Sequence, residues 1–246
     1  MCTLILAGQV FPDAPVVVGA NRDEATDRPS TPPAPREWGQ RVLAPRDEEA
    51  GGTWIGVAES GLFVGVTNRW TDDEFRGERS RGLLVRDALE CETADAAGRL
   101  VERAVEAHEY AGFNLVVADA TTALLYEWDG HLRVRNFEPG VHVVVNVGAD
   151  DTFDVPAALG EAGREQVESV RRARGVVRPE PGENVAAWRS RIAALLADHD
   201  YGFCVHGDGF GTRSSSLLGL GPDGADWAYA DGPPCETAYR PVDGQL

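Results

Sequence analysis

Short apolar runs of strand length come in tandem along this chain, and two stretches with a helical period interrupt them. That order constrains the fold more than any other feature. Residues 3–7 and 16–20 are aliphatic or β-branched, and they flank the turn-rich Phe11-Pro12-Asp13-Ala14-Pro15, as the arms of a hairpin do. Residues 54–58 and 62–67 form a second such pair across Glu59-Ser60-Gly61. Between 93 and 108, Ala97, Leu100, Val101, Ala104, Val105 and His108 recur at the spacing of one helical face. Strand signals return at 113–118, 123–128, 132–136 and 141–145. Helical patterns then cover 157–175 and 183–198, where Trp188, Ile192, Leu195 and Leu196 share a stripe. Strands around 203–206, 212–218, 226–230 and 237–240 close the chain. Residues 25–50, rich in Pro, Arg, Asp and Glu and without periodicity, read as an ordered loop or a lid. Strands, helices, strands, helices, strands: hairpins with segregated helices predict an α+β fold with antiparallel sheets rather than a doubly wound parallel one. No composition break or internal repeat divides the chain, so 1–246 is expected to be a single domain.

Composition narrows the surroundings. The formal net charge is −17 over 246 residues, and the 23 basic residues are all Arg. Such a surface repels phosphate backbones and anionic lipid, which sets nucleic acid and membrane surfaces aside as partners. A salt-rich cytoplasm accounts for both features, the signature of a halophilic acidic protein; a GC-rich genome accounts for the Arg bias alone. No run of ~18 apolar residues spans a bilayer, and MCTLILAGQVFPD lacks the basic start of a secretory signal, so a cytoplasmic location without membrane insertion is expected. Cys2, Cys91, Cys204 and Cys235 show no paired metal or haem-attachment spacing. No metal site is predicted, and the last three read as small buried hydrophobes.

Cys2 is different. Methionine is ordinarily removed before a small second residue, which would leave Cys2 with a free α-amine. With a pKa of about 7.7–8.0, that amine can act as base for the thiol beside it at ~8.5. Gly19-Ala20-Asn21-Arg22-Asp23-Glu24 ends a strand with four polar residues in succession, which packing against a core does not require. Asp23 is placed to hold the α-ammonium, and Arg22 to raise local positive potential in favour of the thiolate. Asn68 and Asn146 each end an apolar strand, where an amide N–H can donate to a developing oxyanion. No GxSxG, Walker or dinucleotide fingerprint occurs. Gly207, Gly209 and Gly211 read as a tight turn leading to Arg213, and His142 and His206 as satisfied core histidines.

Met1-Cys2-Thr3, the Asn-Arg-Asp-Glu run at 21–24, Gly51-Gly52-Thr53-Trp54-Ile55-Gly56, Gly65-Val66-Thr67-Asn68-Arg69, Ser80-Arg81-Gly82 and Gly211-Thr212-Arg213 occur in this order. Together they resemble the NRDE family, which includes the transport and Golgi organisation protein 2 proteins, over residues 2 to about 240. That family resembles the cysteine N-terminal-nucleophile hydrolases, such as bile salt hydrolase and penicillin V acylase. The resemblance implies a four-layer αββα sandwich, two mainly antiparallel sheets between helix layers. It also implies Cys2 as nucleophile, Asp23 as the amine-orienting residue, Asn68 and Asn146 as oxyanion ligands, and Asn21, Glu24, Trp54, Arg69 and Arg213 as substrate-binding residues. One departure stands out: the acylases carry an Arg three residues before the Asp, where this chain has Ala20.

Three functions are compatible with these residues. The first is a Cys-dependent hydrolase of a small amide or related acyl compound, with no cofactor. The second is a carrier on the same scaffold, handling haem or an acyl-CoA or lipid through Cys2, His142 or His206, as the resemblance to eukaryotic relatives linked to haem mobilisation and lipid metabolism implies. The third is a metabolite-repair or housekeeping role with no single substrate. A small-molecule ligand is common to all three, and none fixes an oligomeric state.

Overall fold

The computed structural model describes residues 2–72, 77–222, 224–244 and 246. The first half is β1 (Thr3–Phe11), β2 (Ala14–Ala25), β3 (Ser30–Trp38), β4 (Gln40–Asp47), β5 (Ile55–Ala58), β6 (Phe63–Asn68), α1 (Arg81–Ala88) and α2 (Ala94–Ala107). Strands β7 (Phe113–Ala118), β8 (Ala123–Trp128), β9 (Leu132–Asn136) and β10 (Gly140–Val145) follow, with the short β11 (Gly148–Ala149) and β12 (Thr152–Phe153). Helices α3 (Gly160–Val177) and α4 (Val185–Ala197) precede β13 (Phe210–Gly221), β14 (Gly224–Ala230) and β15 (Arg240–Pro241).

The strands form two antiparallel sheets. One has the order β12-β11-β10-β1-β2-β13-β14-β15 and the other β3-β4-β5-β6-β7-β8-β9. Strand alternation divides the buried apolar strand side chains among three layers. Leu4, Leu6, Val16 and Val18 of the first sheet meet Ile55, Val57, Phe63 and Val116 of the second in a central core. The opposite face of the first sheet, with Ile5, Val17 and Val143, packs on Val170 of α3 and on Trp188, Ile192 and Leu196 of α4. The outer face of the second, with Val42, Val64 and Leu115, packs on Leu84 and Val85 of α1 and on Ala97 and Val101 of α2. The layers therefore run helix, sheet, sheet, helix, as expected.

Three sequence expectations change. Residues 25–50 are not a loop or lid. They hold the end of β2 and the antiparallel pair β3–β4, turned at Gly39 with φ +69°. The prolines misled: Pro32 and Pro33 lie where the β3–β4 register shifts between Thr31 and Ala34, and β3 is an edge strand, so a missing N–H costs no ladder bond there. Residues 203–206 form no strand, only a single bridge from His206 to Gly211, and pairing near 237–240 begins only at Arg240. His108 lies exposed just beyond the end of α2 rather than on its apolar face.

The feature that positions the site is a mismatch in strand length. β13 follows β2 from Leu220↔Val16 as far as Phe210↔Ala25, whereas β1 stops at Thr3, opposite Asn21. Residues 22–24 thus overrun their neighbour on one side, and Cys2 sits at the step. By the same alternation Cys2, like Leu4 and Leu6, turns towards the space between the sheets. Across that space stand Trp54, just before β5, and Asn68, the last residue of β6.

Candidate active site

The step is the floor of a narrow pocket between the sheets. Its lining includes Cys2, Asn21, Arg22, Asp23, Glu24, Trp54, Thr67 and Asn68, with Ser214 and Ser216 from β13. Its interior space is about 60 Å³, room for a few water molecules or one small functional group.

The Cys2 thiol donates to the Asp23 carbonyl, Sγ to O 3.4 Å. Burial pushes this thiol above its ordinary value, and the Asp23 charge adds to the rise. Arg22 and Arg81 lie within electrostatic reach of Cys2, but burial outweighs the groups that would lower its thiol. The expected thiolate-promoting role of Arg22 is therefore not what dominates here, and a nucleophile of this kind needs a base at the moment of attack. The Asp23 side chain is 1% exposed and accepts a 2.6 Å hydrogen bond from the Thr212 hydroxyl. Burial pushes its carboxyl up, against the pull of that hydrogen bond and of Arg22.

Arg22 is 6% exposed and lies over the Trp54 ring, its Cζ 4.1 Å from the ring centroid. The stack makes one wall of the pocket, a cation–π contact of a desolvated guanidinium. Glu24 reaches Arg22 at 3.8 Å and Arg28 at 3.9 Å, and accepts from the Ala25 N–H at 3.0 Å. Asn68 lines the pocket half-buried, and among the described residues its side chain makes no hydrogen bond. Its amide is thus available to a ligand beside Cys2.

Other predicted residues have structural duties. The Asn146 amide is buried outside the pocket lining; its N–H holds the Asn68 carbonyl at 2.8 Å and its oxygen accepts from Gln166 at 3.1 Å. It holds the backbone of Asn68 and does not line the pocket. Asn21 contributes to the lining but spends its amide N–H groups on the carbonyls of Leu196 (2.9 Å) and Phe203 (2.8 Å), tying β2 to the end of α4. Arg69 points away into a buried ion-pair cluster, bonding Glu127 and Asn114 at 3.0 Å each and Asp129 at 3.3 Å. Arg213 is the extra residue where the β2–β13 register shifts between Thr212 and Ser214, and it lies outside the pocket lining. The sequence showed which residues end strands, not where their donors aim.

Two contributors were missed as site residues. Thr212 supports Asp23, and Arg81, at the start of α1, is within electrostatic reach of Cys2 and Glu24. Their signal lay in the Gly-Thr-Arg and Ser-Arg-Gly motifs. Ser80 caps α1 by accepting from the Gly82 N–H, and the Thr53 N–H donates to the Gly82 carbonyl at 3.0 Å. A Cβ on Gly52 would stand 2.2 Å from the Gly82 carbonyl carbon, so both glycines let α1 approach and place Arg81.

The histidines divide. His142 has both ring nitrogens engaged, Nδ1 with Asp150 and Nε2 with the Glu138 carbonyl, each at 2.8 Å, and its ring stacks on Phe137. It is satisfied, as expected, and has no nitrogen left for a haem iron. His206 is exposed rather than a core residue, and it touches Cys235 instead.

A helix-sheet-sheet-helix sandwich with a cysteine at the strand step is the N-terminal-nucleophile hydrolase fold. Solved structures agree. A Caenorhabditis elegans N-acylethanolamine-hydrolyzing acid amidase ortholog superposes with a TM-score of 0.58 at 14% identity, over 88% of this chain and 92% of its own. Penicillin V acylase from Agrobacterium tumefaciens gives 0.51 at 13% identity, over 100% and 98%. Residues 1–224 match the Transport and Golgi organisation 2 family, and the chain belongs to that family. The human Transport and Golgi organization protein 2 homolog is 27% identical over 244 residues, covering 85% of this chain and 83% of the homolog. No described helix is long and apolar enough to cross a membrane.

Proposed function

We propose that the protein is a Cys-dependent hydrolase of a small amide or related acyl compound, with Cys2 as nucleophile once Met1 has been removed. The observation that carries the reading is the convergence of Cys2, Asp23 and Asn68 on one pocket, with the sulfur 3.4 Å from the Asp23 carbonyl. The amidase and acylase activities named for the two similar structures support it.

In this reading the α-amine of Cys2 takes the thiol proton as sulfur attacks the acyl carbon. Asn68 donates to the tetrahedral oxyanion, a contact worth roughly 3–4 kcal/mol of barrier. Collapse breaks the C–N bond, and the amine leaves with the proton from the α-ammonium. Water, deprotonated by the same amine, then hydrolyses the thioester and frees the acid and the thiol. Asp23, buttressed by Thr212, holds the ammonium in place. The interior space admits the scissile group and little more, so the rest of the substrate lies at the mouth, against the Arg22–Trp54 wall.

A panel of N-acyl amides, assayed with wild type and Cys2→Ala, tests the proposal. Turnover of at least one amide, lost in Cys2→Ala, is expected. Turnover that survives Cys2→Ala, or none across the panel, overturns it.

A further inference from the structure

Away from the pocket, two segments almost devoid of regular structure come together. One is the connection from α4 to β13; its only order is a 3-10 turn at His199–Tyr201 and the His206–Gly211 bridge. The other follows β14, where Glu236 and Thr237 turn back on the Pro233 carbonyl. Between them they bring together His199, Cys204, His206 and Cys235, whose ligand atoms all lie within 4.8 Å of one another. The distances are 3.4 Å from Cys204 Sγ to Cys235 Sγ, 3.1 Å from His206 Nε2 to Cys235 Sγ, and 3.7 Å from Cys204 Sγ to His206 Nε2.

Those separations have a chemical meaning. With zinc bonds of about 2.3 Å to sulfur and about 2.0–2.1 Å to nitrogen, a tetrahedral site has ligand–ligand edges of roughly 3.3–3.8 Å; the 3.4 and 3.7 Å separations fall within that range, the 3.1 Å one just below it, and His199 lies no more than 4.8 Å from the other ligand atoms. Two sulfurs and two imidazoles are also the donor set that selects a borderline-soft divalent ion over calcium or magnesium. The reading of Cys204 and Cys235 as separate buried hydrophobes therefore fails: Cys204 is buried, Cys235 is partly exposed, and they face each other. Sequence spacing hid the group, because Cys235 joins from 29 residues beyond His206.

We propose that His199, Cys204, His206 and Cys235 form a closed four-coordinate site for zinc that staples the carboxyl-terminal segment to the α4–β13 connection. Binding replaces two S–H bonds with two Zn–S bonds and releases two protons; no oxidant takes part. Four protein ligands leave no open position, so the ion is structural. Its position also ties it to the pocket. Phe203 offers its carbonyl to Asn21, and the Val205 N–H donates at 2.9 Å to the Thr212 hydroxyl, which in turn bonds Asp23. The ion thus fixes the backbone behind Asp23.

Full-length protein, reduced, stripped with a chelator and titrated with Co(II), tests the site. Thiolate-to-cobalt charge transfer and tetrahedral d–d bands are expected to saturate at a single ion per chain and to vanish on adding Zn(II). They should persist in Cys2→Ala and Cys91→Ser and disappear in Cys204→Ser and Cys235→Ser. The reduced wild type alone decides the matter should a variant misfold. Weak octahedral bands, bands unchanged in both serine variants, or a Cys204–Cys235 disulfide whose reduction restores no metal uptake would each overturn the site.

Discussion

In the proposed mechanism the buried Asp23 must be held still, and Thr212 bonds it from β13. Thr212→Val keeps the shape but removes the 2.6 Å bond to Asp23. It is expected to lower stability by about 1–3 kcal/mol and to reduce turnover without abolishing it, seen in denaturant melts alongside the amide assay. Arg69→Leu separates structure from chemistry. It leaves the buried Glu127 and the half-buried Asp129 with Arg135 and Arg133 as their ion-pair partners among the described residues, so a loss of about 3 kcal/mol is expected, with the reactivity of Cys2 unchanged in the folded fraction. His142 gives a pH signature. Burial opposes its charge, but the Asp150 carboxylate and Glu138 carbonyl outweigh that and hold its pKa above 6.5. A raised histidine stabilises the fold below the unfolded pKa and loses that contribution as pH rises through the folded one. The stability advantage of wild type over His142→Gln should therefore grow as pH falls through neutrality; a constant difference would refute the ion pair. At this scale the chain showed Cys2, Asp23 and Asn68 as polar residues beside apolar strands, and the structure brings all three to one pocket. Asn21, Asn146 and Arg69 look the same in the chain, and only the direction of each donor shows that they brace rather than bind.

Among the elements, the helices and central strands could be read because their apolar periods match the faces they bury. The edge could not. β3 carries Pro32, Pro33 and Pro35, a pattern that says loop until the register shift and the missing outer neighbour are known. Motifs of small residues were legible as motifs but mute as to cause, since Gly52 and Gly82 serve a contact between segments distant in sequence. Gly52→Ala tests that contact. The new methyl collides with backbone that cannot rotate away, so about 1–3 kcal/mol of stability should be lost. Because α1 must retreat with Arg81, activity should fall further than for a substitution of equal cost on α2. Equal losses would show that the Gly52–Gly82 approach matters to the fold alone.

At the scale of the whole molecule, two sheets face each other across one apolar layer, and the inner face of the first sheet turns polar where β1 ends before β2 and β13 do. The α+β class followed from the alternation of strand and helix blocks, and the layer order from the family resemblance. The meeting of the α4–β13 connection with the carboxyl terminus did not, because neither segment has a period to read. The account as a whole turns on Cys2 being an amino-terminal thiol that accepts an acyl group within that step. Intact-mass and peptide-mapping analysis of the native protein after brief exposure to an activated N-acyl ester tests this most directly. It should find Met1 absent and a single acyl group on Cys2, with Asp23→Asn acylated far more slowly. A chain that retains Met1 and takes no acyl group, or takes it equally on Cys91 and Cys235, would contradict the account.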